Sequence, residues 1–403
     1  MEGDNVFTIV QNLSNGKVAT IRRAIKEDAY KIQELYFLVY NGRYPLSLIN
    51  DIHELNAALT GDDFVWVLIF IEDKLIGSVI YEIDHEQRIA KSFGAVIITE
   101  FRGHNLTGIA MKHVQDMILG KDKMCDIIYA TTRTESSAPQ KLTEKLGYKK
   151  LGLFPNVRKV VDYETHCLTA IFDDYAFETR KKPPVILPEL KDIYEITRAE
   201  LKLEHATIED YIDEDENTDK ELIEFEVISA ENYVKRRFKY GIEKKIISMH
   251  FFPFQKPNLL LCSKDLTVEI YLYHALEDNH SCIIGGRFED YDYHLILESV
   301  CATAKKMGIR YLELLVGAYK PKTLREVLNA RFLPSAYFPA LKLVTEEDNP
   351  FLKKGERLDH FVFSRSFEML DFKDIKLEGI YKKYLKNYFI MWKRLYIDGV
   401  FED

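Results

Sequence analysis

Between Ala95 and His113 the chain reads Ala-Val-Ile-Ile-Thr-Glu-Phe-Arg-Gly-His-Asn-Leu-Thr-Gly-Ile-Ala-Met-Lys-His. These residue types predict a β-branched strand over Ala95–Ile98, then a short polar turn carrying Arg102, Gly103 and Gly108. A helix is expected to open at that point, with apolar residues at Ile109, Met111 and Val114. A strand, a turn of bare backbone and a helix N-terminus together make an anion site. Unpaired amides point outward, the helix dipole adds partial positive charge, and Arg102 supplies a full one. The guest that suits such a turn is a pyrophosphate. An ordinary β–turn–α connection has the same glycines, so the surrounding sequence must decide between the two.

Residues 127–148 repeat the pattern of strand, turn and helix: Ile-Ile-Tyr-Ala-Thr-Thr-Arg-Thr-Glu-Ser-Ser-Ala-Pro-Gln-Lys-Leu-Thr-Glu-Lys-Leu-Gly-Tyr. Pro139 suits a first helical turn and Gly147 a left-handed C-terminal position. This order resembles the GNAT acyltransferase superfamily, whose members bind acetyl-CoA. The likeness spans roughly residues 18–180 and includes an opening strand, Thr20-Ile21-Arg22-Arg23-Ala24, before a helix start at Lys26-Glu27-Asp28-Ala29. The family's pyrophosphate loop reads Arg/Gln-x-x-Gly-x-Gly/Ala. Arg102 matches its first position, whereas Asn105 and Thr107 stand where the two glycines usually are. Asn adopts a left-handed backbone at modest cost, while a β-branched Thr crowds the approach of phosphate.

The resemblance implies acetyl-CoA as cosubstrate, held by Ile97, Ile98, Arg102, Gly103, His104, Asn105, Leu106, Thr107, Gly108 and Ser136. It also implies an N-acetyltransferase reaction in which an amine attacks the thioester directly in a ternary complex. A strand bulge would expose the Ile97 amide to the thioester oxygen, and the side chains of Val96, Ile97 and Ile98 can be buried at the same time. For the base, Glu82 is the leading candidate, ahead of His85 and Glu100. It sits in the alternating run Ile80-Tyr81-Glu82-Ile83, although such residues more often face solvent. The family's Tyr acid corresponds to Thr143, whose hydroxyl gives up no proton near neutral pH, and a cofactor-touching Asn corresponds to Ser136. Tyr40, Tyr44 and Pro45 fall in a helix break that borders the acceptor site in that family. Ser136 and Ser137 lack a Gly-x-Ser-x-Gly elbow and read as helix-capping residues.

A chain of 403 residues allows two to three domains, and 47% hydrophobic content is ordinary for a globular chain. The net charge of −9 offers no basic face for nucleic acid, and Lys235-Arg236-Arg237 reads as a solvated helix face. Five cysteines, an odd number without a Cys-x-x-Cys, read as reduced core thiols, with no metal site expected. The acidic Met1-Glu2-Gly3-Asp4 start and the lack of a run approaching ~18 apolar residues indicate neither export nor membrane spanning. A cytoplasmic location is therefore expected.

The expected fold class is α/β (α+β): a GNAT-like mixed central sheet flanked by helices, followed by a second GNAT-like α/β domain. The expected boundaries are 1–180 for the acyl-CoA domain, 181–235 for a linker with an acidic loop at Asp213–Asp219, and 236–403 for a degenerate copy. A shift of 184 residues lays Ile309–Pro339 over Cys125–Pro155, with Phe332 on Tyr148 and Phe338-Pro339 on Phe154-Pro155. Gly286–Asp292 then falls on Arg102–Gly108, and its three carboxylates are electrostatically wrong for a pyrophosphate. The acceptor would be a small-molecule amine or a protein lysine, and the pattern admits a homodimer. The alternative is a catalytically weak CoA-binding sensor or interaction protein, favoured by the missing Tyr and the altered glycines.

Overall fold

The computed structural model describes residues 7–13, 16–42, 47–159, 163–211, 221–247, 249–288, 291–346, 348 and 351–398. Tyr44, Pro45, the acidic run Asp213–Asp219 and the pair Glu289-Asp290 lie outside the described residues. The chain divides into two compact units. Unit 1 is Met1–Thr131 with Leu142–Tyr148 and Ala170–Ala176, and unit 2 is Thr132–Lys141, Lys149–Thr169 and Phe177–Asp403.

Unit 1 is built on strands β1 (Thr8–Asn12), β2 (Val18–Arg23), β3 (Phe64–Ile71), β4 (Lys74–Asp84), β5 (Ile89–Ile97) and β6 (Ile127–Arg133), in that spatial order. All neighbours are antiparallel except β5 and β6, which run parallel. The helices are α1 (Ala29–Tyr40), α2 (Ser47–Asn50), α3 (Ile52–Thr60) and α4 (Leu106–Ile118), the last forming the crossover that a parallel pair requires. Period-two alternation sorts the strands between two cores. Val65, Val67, Ile69, Val79 and Tyr81 pack with Leu106, Ala110, Met111 and Val114 of α4. Trp66, Leu68, Phe70 and Ile80 pack with Ile32, Leu35 and Tyr36 of α1 and Leu55 of α3. Because both faces are covered, β3 is apolar at every position, Phe-Val-Trp-Val-Leu-Ile-Phe-Ile.

Next along the chain come α5 (Ala138–Lys145), β7 (Lys149–Lys159), β8 (Tyr163–Phe172) and α6 (Asp174–Glu178). Alternation places a closing strand pair at 157–176, but the strands cover 149–159 and 163–172 instead. The reason is burial: Lys150–Val157 is buried at every position, so the first strand carries no alternating signal.

The remaining elements are β9 (Val185–Ile186), α7 (Lys191–Leu201), β10 (Thr207–Ile208), β11 (Phe225–Ile228), α8 (Glu231–Glu243) and β12 (Met249–His250). They continue with β13 (Leu259–Ser263), β14 (Val268–Ala275), β15 (His280–Phe288), α9 (Tyr293–Lys306) and β16 (Tyr311–Gly317). The chain ends with α10 (Pro321–Asn329), β17 (Leu333–Leu343), β18 (Arg357–Ser366) and α11 (Tyr381–Tyr396). Unit 2 has strand order β8-β7-β17-β18-β16-β15-β14-β13-β11. Its core joins α7, α9, α10 and α11, through Tyr194, Leu297, Val327 and Tyr384, to Ile270, Leu314, Tyr337 and Phe361 of the strands. Gly152 of β7 faces Ala336 of β17 so closely that a Cβ would overlap Ala336 and the Ser335 carbonyl. Residues 181–211 belong to this unit, with Ile186, Leu187, Leu190, Ile193 and Tyr194 buried.

The shift of 184 residues carries the bounds of β6 (127–133) onto those of β16 (311–317), and those of β7 (149–159) onto those of β17 (333–343). The pair β15 and β16 is parallel with α9 between, as β5 and β6 are parallel with α4 between. No helix of the described residues is long and apolar enough to cross a membrane.

Candidate functional site

The site is built on β5. On its β4 side, Ser78 pairs with Val96 and Ile80 with Phe93, so two residue steps on β4 face three on β5. The extra residue is a bulge at Gly94-Ala95. Gly94 has φ +59, and a Cβ there would stand 2.7 Å from Ile80 Cδ1 and 2.8 Å from the Tyr36 hydroxyl oxygen. Only glycine fits. The Tyr36 hydroxyl donates to the Gly94 carbonyl at 2.5 Å, and the indole N–H of Trp66 donates to Ser78 Oγ at 2.7 Å, 3.3 Å from the same tyrosine oxygen. The bulge is thus held by buried polar side chains.

On its other side β5 pairs with β6 only from Ile89↔Ile127 to Ser92↔Ala130. It runs on through Phe93–Ile97 beyond the last β6 partner. The Ile98 N–H donates to the Ile76 carbonyl at 2.8 Å. Bonded and non-bonded pairs alternate in an antiparallel ladder, so the adjacent pair Gly77↔Ile97 is non-bonded. The Ile97 N–H is therefore turned away from β4, towards the side where β6 pairing has ended. Ile97 and Ile98 are half-buried and pack on the α4-side core.

Beyond Ile98 the chain makes a 3-10 turn, Thr99–Phe101, in which Phe101 N donates to Ile98 O at 2.9 Å. Arg102 and Gly103 are exposed, His104 is half-buried, and Gly103 has φ +89. Asn105 takes the left-handed backbone (φ 57, ψ 19) and caps α4 without a side-chain hydrogen bond to the helix amides. The helix starts at Leu106, earlier than Gly108 where the sequence places its opening, so Leu106, Thr107 and Gly108 form its first turn. Their N–H groups are the orphan donors of the helix end. A Cβ on Gly108 would stand 2.5 Å from Asn105 Oδ1 and 3.2 Å from Leu142 Cδ1. Among the described residues Arg102 makes no ion pair. The backbone therefore brings Ile97, Ile98 and Arg102–Gly108 into one continuous run.

The other expected residues fall outside that run. Glu82 is opposite Phe64 and Lys91, five residues along β4 from Gly77, which is ~17 Å at the rise of a strand. Facing the right side of a sheet is not proximity, and Glu82 does not reach Ile97. His85 is exposed and bonds to the Asp62 carbonyl at 3.2 Å. Glu100 is exposed in the 3-10 turn, and Ser136 is exposed and belongs to unit 2. Thr143 is buried, its carbonyl accepting from the N–H groups of Leu146 at 3.1 Å and Tyr148 at 3.0 Å. Gly147, with φ +91, ends that helix. Burial pushes the phenols of Tyr81 and Tyr148 up, so neither gives up a proton near neutral pH. All five cysteines are buried, and none forms a disulfide.

Sequence reasoning did not single out a cavity of about 280 Å³ lined by Gln33, Glu34, Tyr36, Phe37, Gly42, Ile49 and Asn50. It sits where α1 ends in left-handed Asn41 and Gly42, the helix break noted above. Gln33 spans it, donating to the Ile49 carbonyl at 2.9 Å. Tyr40 stacks on Tyr36 with ring centroids 6.3 Å apart.

No protein-family model matches the sequence, and no curated protein matches it. Solved structures do match. A ribosomal-protein-S5-alanine acetyltransferase from Vibrio fischeri is 17% identical, covering 41% of this chain and 97% of its own, with a TM-score of 0.35. An acetyltransferase of the GNAT family from Streptococcus pneumoniae is 19% identical, covering 38% and 99%, with a TM-score of 0.33. Arabidopsis thaliana NAA60 in complex with acetyl-CoA is 11% identical, covering 38% and 98%, with a TM-score of 0.34.

Proposed function

We propose that unit 1 binds acetyl-CoA and transfers its acetyl group to an amine by direct attack, as a GNAT-type N-acetyltransferase. The observation that carries this reading is the free edge of β5: a bulged strand whose Ile97 N–H points out of the ladder and which leads into a helix N-terminus whose amides take no side-chain capping bond. A thioester lying along Phe93–Ile97 in place of a β6 strand would take the Ile97 N–H at its carbonyl oxygen. That is the donor needed as the carbonyl becomes tetrahedral. The cofactor's pyrophosphate would reach the N–H groups of Leu106, Thr107 and Gly108 and the Arg102 guanidinium, with Gly103, His104 and Asn105 forming the turn around it.

The amine would enter from the cavity beside α1, where Glu34 supplies a carboxylate for an ammonium group. Tyr36 forms one wall and bonds to the bulge. Direct proton transfer to Glu82 is no part of the mechanism at its distance, so a solvent molecule takes the ammonium proton. Thr143 supplies no acid, and the thiolate leaves unassisted or is protonated by water. In this reading unit 2 is a degenerate second copy, supported by the common offset of β6 with β16 and of β7 with β17. Asp292 at the head of its α9 argues against an anion there.

The test measures CoA release by the full-length protein from acetyl-CoA, with and without a panel of polyamines, aminoglycosides and lysine peptides. Amine-dependent release supports the transferase. Saturable CoA binding with no release beyond the protein-free control on any amine supports the sensor reading instead.

A further inference from the structure

In unit 2, strands β15 and β16 lie parallel with His280 opposite Tyr311 and Cys282 opposite Glu313. Two residues apart on one strand, His280 and Cys282 share a face, and register sets Glu313 directly beside Cys282. The side chains converge. His280 Nε2 is 3.4 Å from Glu313 Oε1 and 3.9 Å from Cys282 Sγ, and all three donor atoms lie within 4.8 Å of one another.

Those distances are too long for strong polar contacts. A charge-assisted N–H···O bond closes to ~2.7–2.9 Å, and Arg88 with Asp126 in unit 1 reaches 2.6 Å. The N–O spacing is that of two ligands on one cation, and the N–S spacing is a few tenths of an ångström longer. With Zn–N of about 2.0–2.1 Å, Zn–O of about 2.0–2.2 Å and Zn–S of about 2.3 Å, tetrahedral angles set N and O about 3.4 Å apart and N and S about 3.6 Å apart.

We propose that His280, Cys282 and Glu313 form a zinc site in unit 2, with water as the fourth ligand. The donor set of one imidazole, one thiolate and one carboxylate is suited to Zn²⁺. Charge balance also favours it. Cys282 is 1% exposed and the Glu313 side chain 10%, and a thiolate and a carboxylate together cancel a dication where either anion alone would be costly to bury. The His280 side chain keeps 15% exposure, which leaves an edge for the water. The Tyr311 ring, 5.5 Å from the imidazole, packs beside it. The site staples two strands whose ligands are 31 residues apart in sequence (313 − 282), so no short motif announces it.

The experiment uses the full chain, purified under reductant and stripped with a chelator. Zinc is titrated by competition with a chromophoric chelator, and cobalt(II) is then substituted. One equivalent of zinc should bind. Cobalt should give the visible ligand-field bands of a tetrahedral site with a near-ultraviolet thiolate-to-metal band. Losing even an outer-shell partner weakens metal sites by about 10–100-fold, so Cys282→Ser and Glu313→Gln should each weaken zinc by at least that. Cys282→Ser should also abolish the charge-transfer band. Should one of these variants fail to fold by circular dichroism, the other and His280→Gln carry the test. Binding below one equivalent in the wild type, a cobalt spectrum without the thiolate band, or equal affinity in a folded variant overturns the proposal. Acetyl transfer enters none of these readouts.

Discussion

Replacing Ile97 with proline removes one N–H and nothing else from the backbone's donors. In most strands that would break the ladder, but the Gly77↔Ile97 pair is non-bonded, so the lost N–H makes no bond to β4. Proline also demands an extended residue before it, and Val96 is already in the strand. The variant therefore isolates the group proposed to meet the thioester oxygen. Removing one such donor costs about 2.7–4 kcal/mol, or 10²–10³ in kcat. Ile97→Ala is the control, since it trims the same half-buried side chain and keeps the N–H. It should lose about 2 kcal/mol of stability, the lower end for a truncated core isoleucine, with a modest change in turnover. The assay is initial-rate CoA release with the best amine found, per folded protein as judged by circular dichroism, alongside acetyl-CoA affinity by calorimetry. Ile97→Pro should fall about two to three decades below Ile97→Ala in kcat while binding acetyl-CoA within several-fold. A proline variant that turns over within about threefold of the alanine variant would refute the assignment of this amide, whatever else the protein does.

Arg102→Ala should weaken CoA by about one to two decades, the ~1.5–3 kcal/mol of a charge-assisted contact, and leave pantetheine untouched by calorimetry. Because Arg102 makes no ion pair among the described residues, its melting temperature should not move, and an equal loss for both ligands would make it a scaffold residue. Gly152→Ala should destabilise unit 2 by at least about 1–3 kcal/mol in urea unfolding, since its methyl group overlaps Ala336 and the Ser335 carbonyl. Burial, with Lys342 adding to it, pushes the His360 imidazole down to about 3. A folded value below the unfolded ~6.5 means the unfolded chain binds the extra proton, so this stability is present above pH ~6.5 and lost as pH falls towards 3. The slope of unfolding free energy should therefore lose up to about 1.4 kcal/mol per pH unit in His360→Gln over that window, and an unchanged slope would contradict it.

What the sequence revealed and what it hid divide along physical lines. The β5–turn–α4 run was legible because each of its parts is local: β-branched residues make the strand, Asn105 admits a positive φ, and Gly147 closes the next helix. The start of α4 is hidden because Gly108, a turn former by type, is a helical residue that packs against Asn105 and Leu142. Alternation correctly put Glu82 on the face opposite Ile83, yet it reports direction and not distance along the strand. The α1 cavity and the His280–Cys282–Glu313 cluster depend on register between separate elements. No short motif contains the cluster, and the cavity residues, although close in sequence (33–50), meet only when α1 packs beside α2.

The same limit explains why the internal likeness fades where it does. The offset of 184 residues holds from β6 through β7, where the connections in the two halves are of matched length. It fails at β8 and β18, whose first residues differ by 194 (357 − 163). The gap between β7 and β8 holds three residues, 160–162, and that between β17 and β18 holds thirteen, 344–356, which is the missing ten. A surface connection lengthens at little cost, since each doubling of a loop adds only about 0.6 kcal/mol of closure entropy. Strand pairs, in contrast, hold their register because a one-residue slip would turn every buried side chain outward. Sequence offset is therefore erased first in the loops while the strand order persists. It follows that a circular-dichroism melt should tolerate deletion of the exposed Lys353-Lys354 pair far better than deletion of one residue from β17.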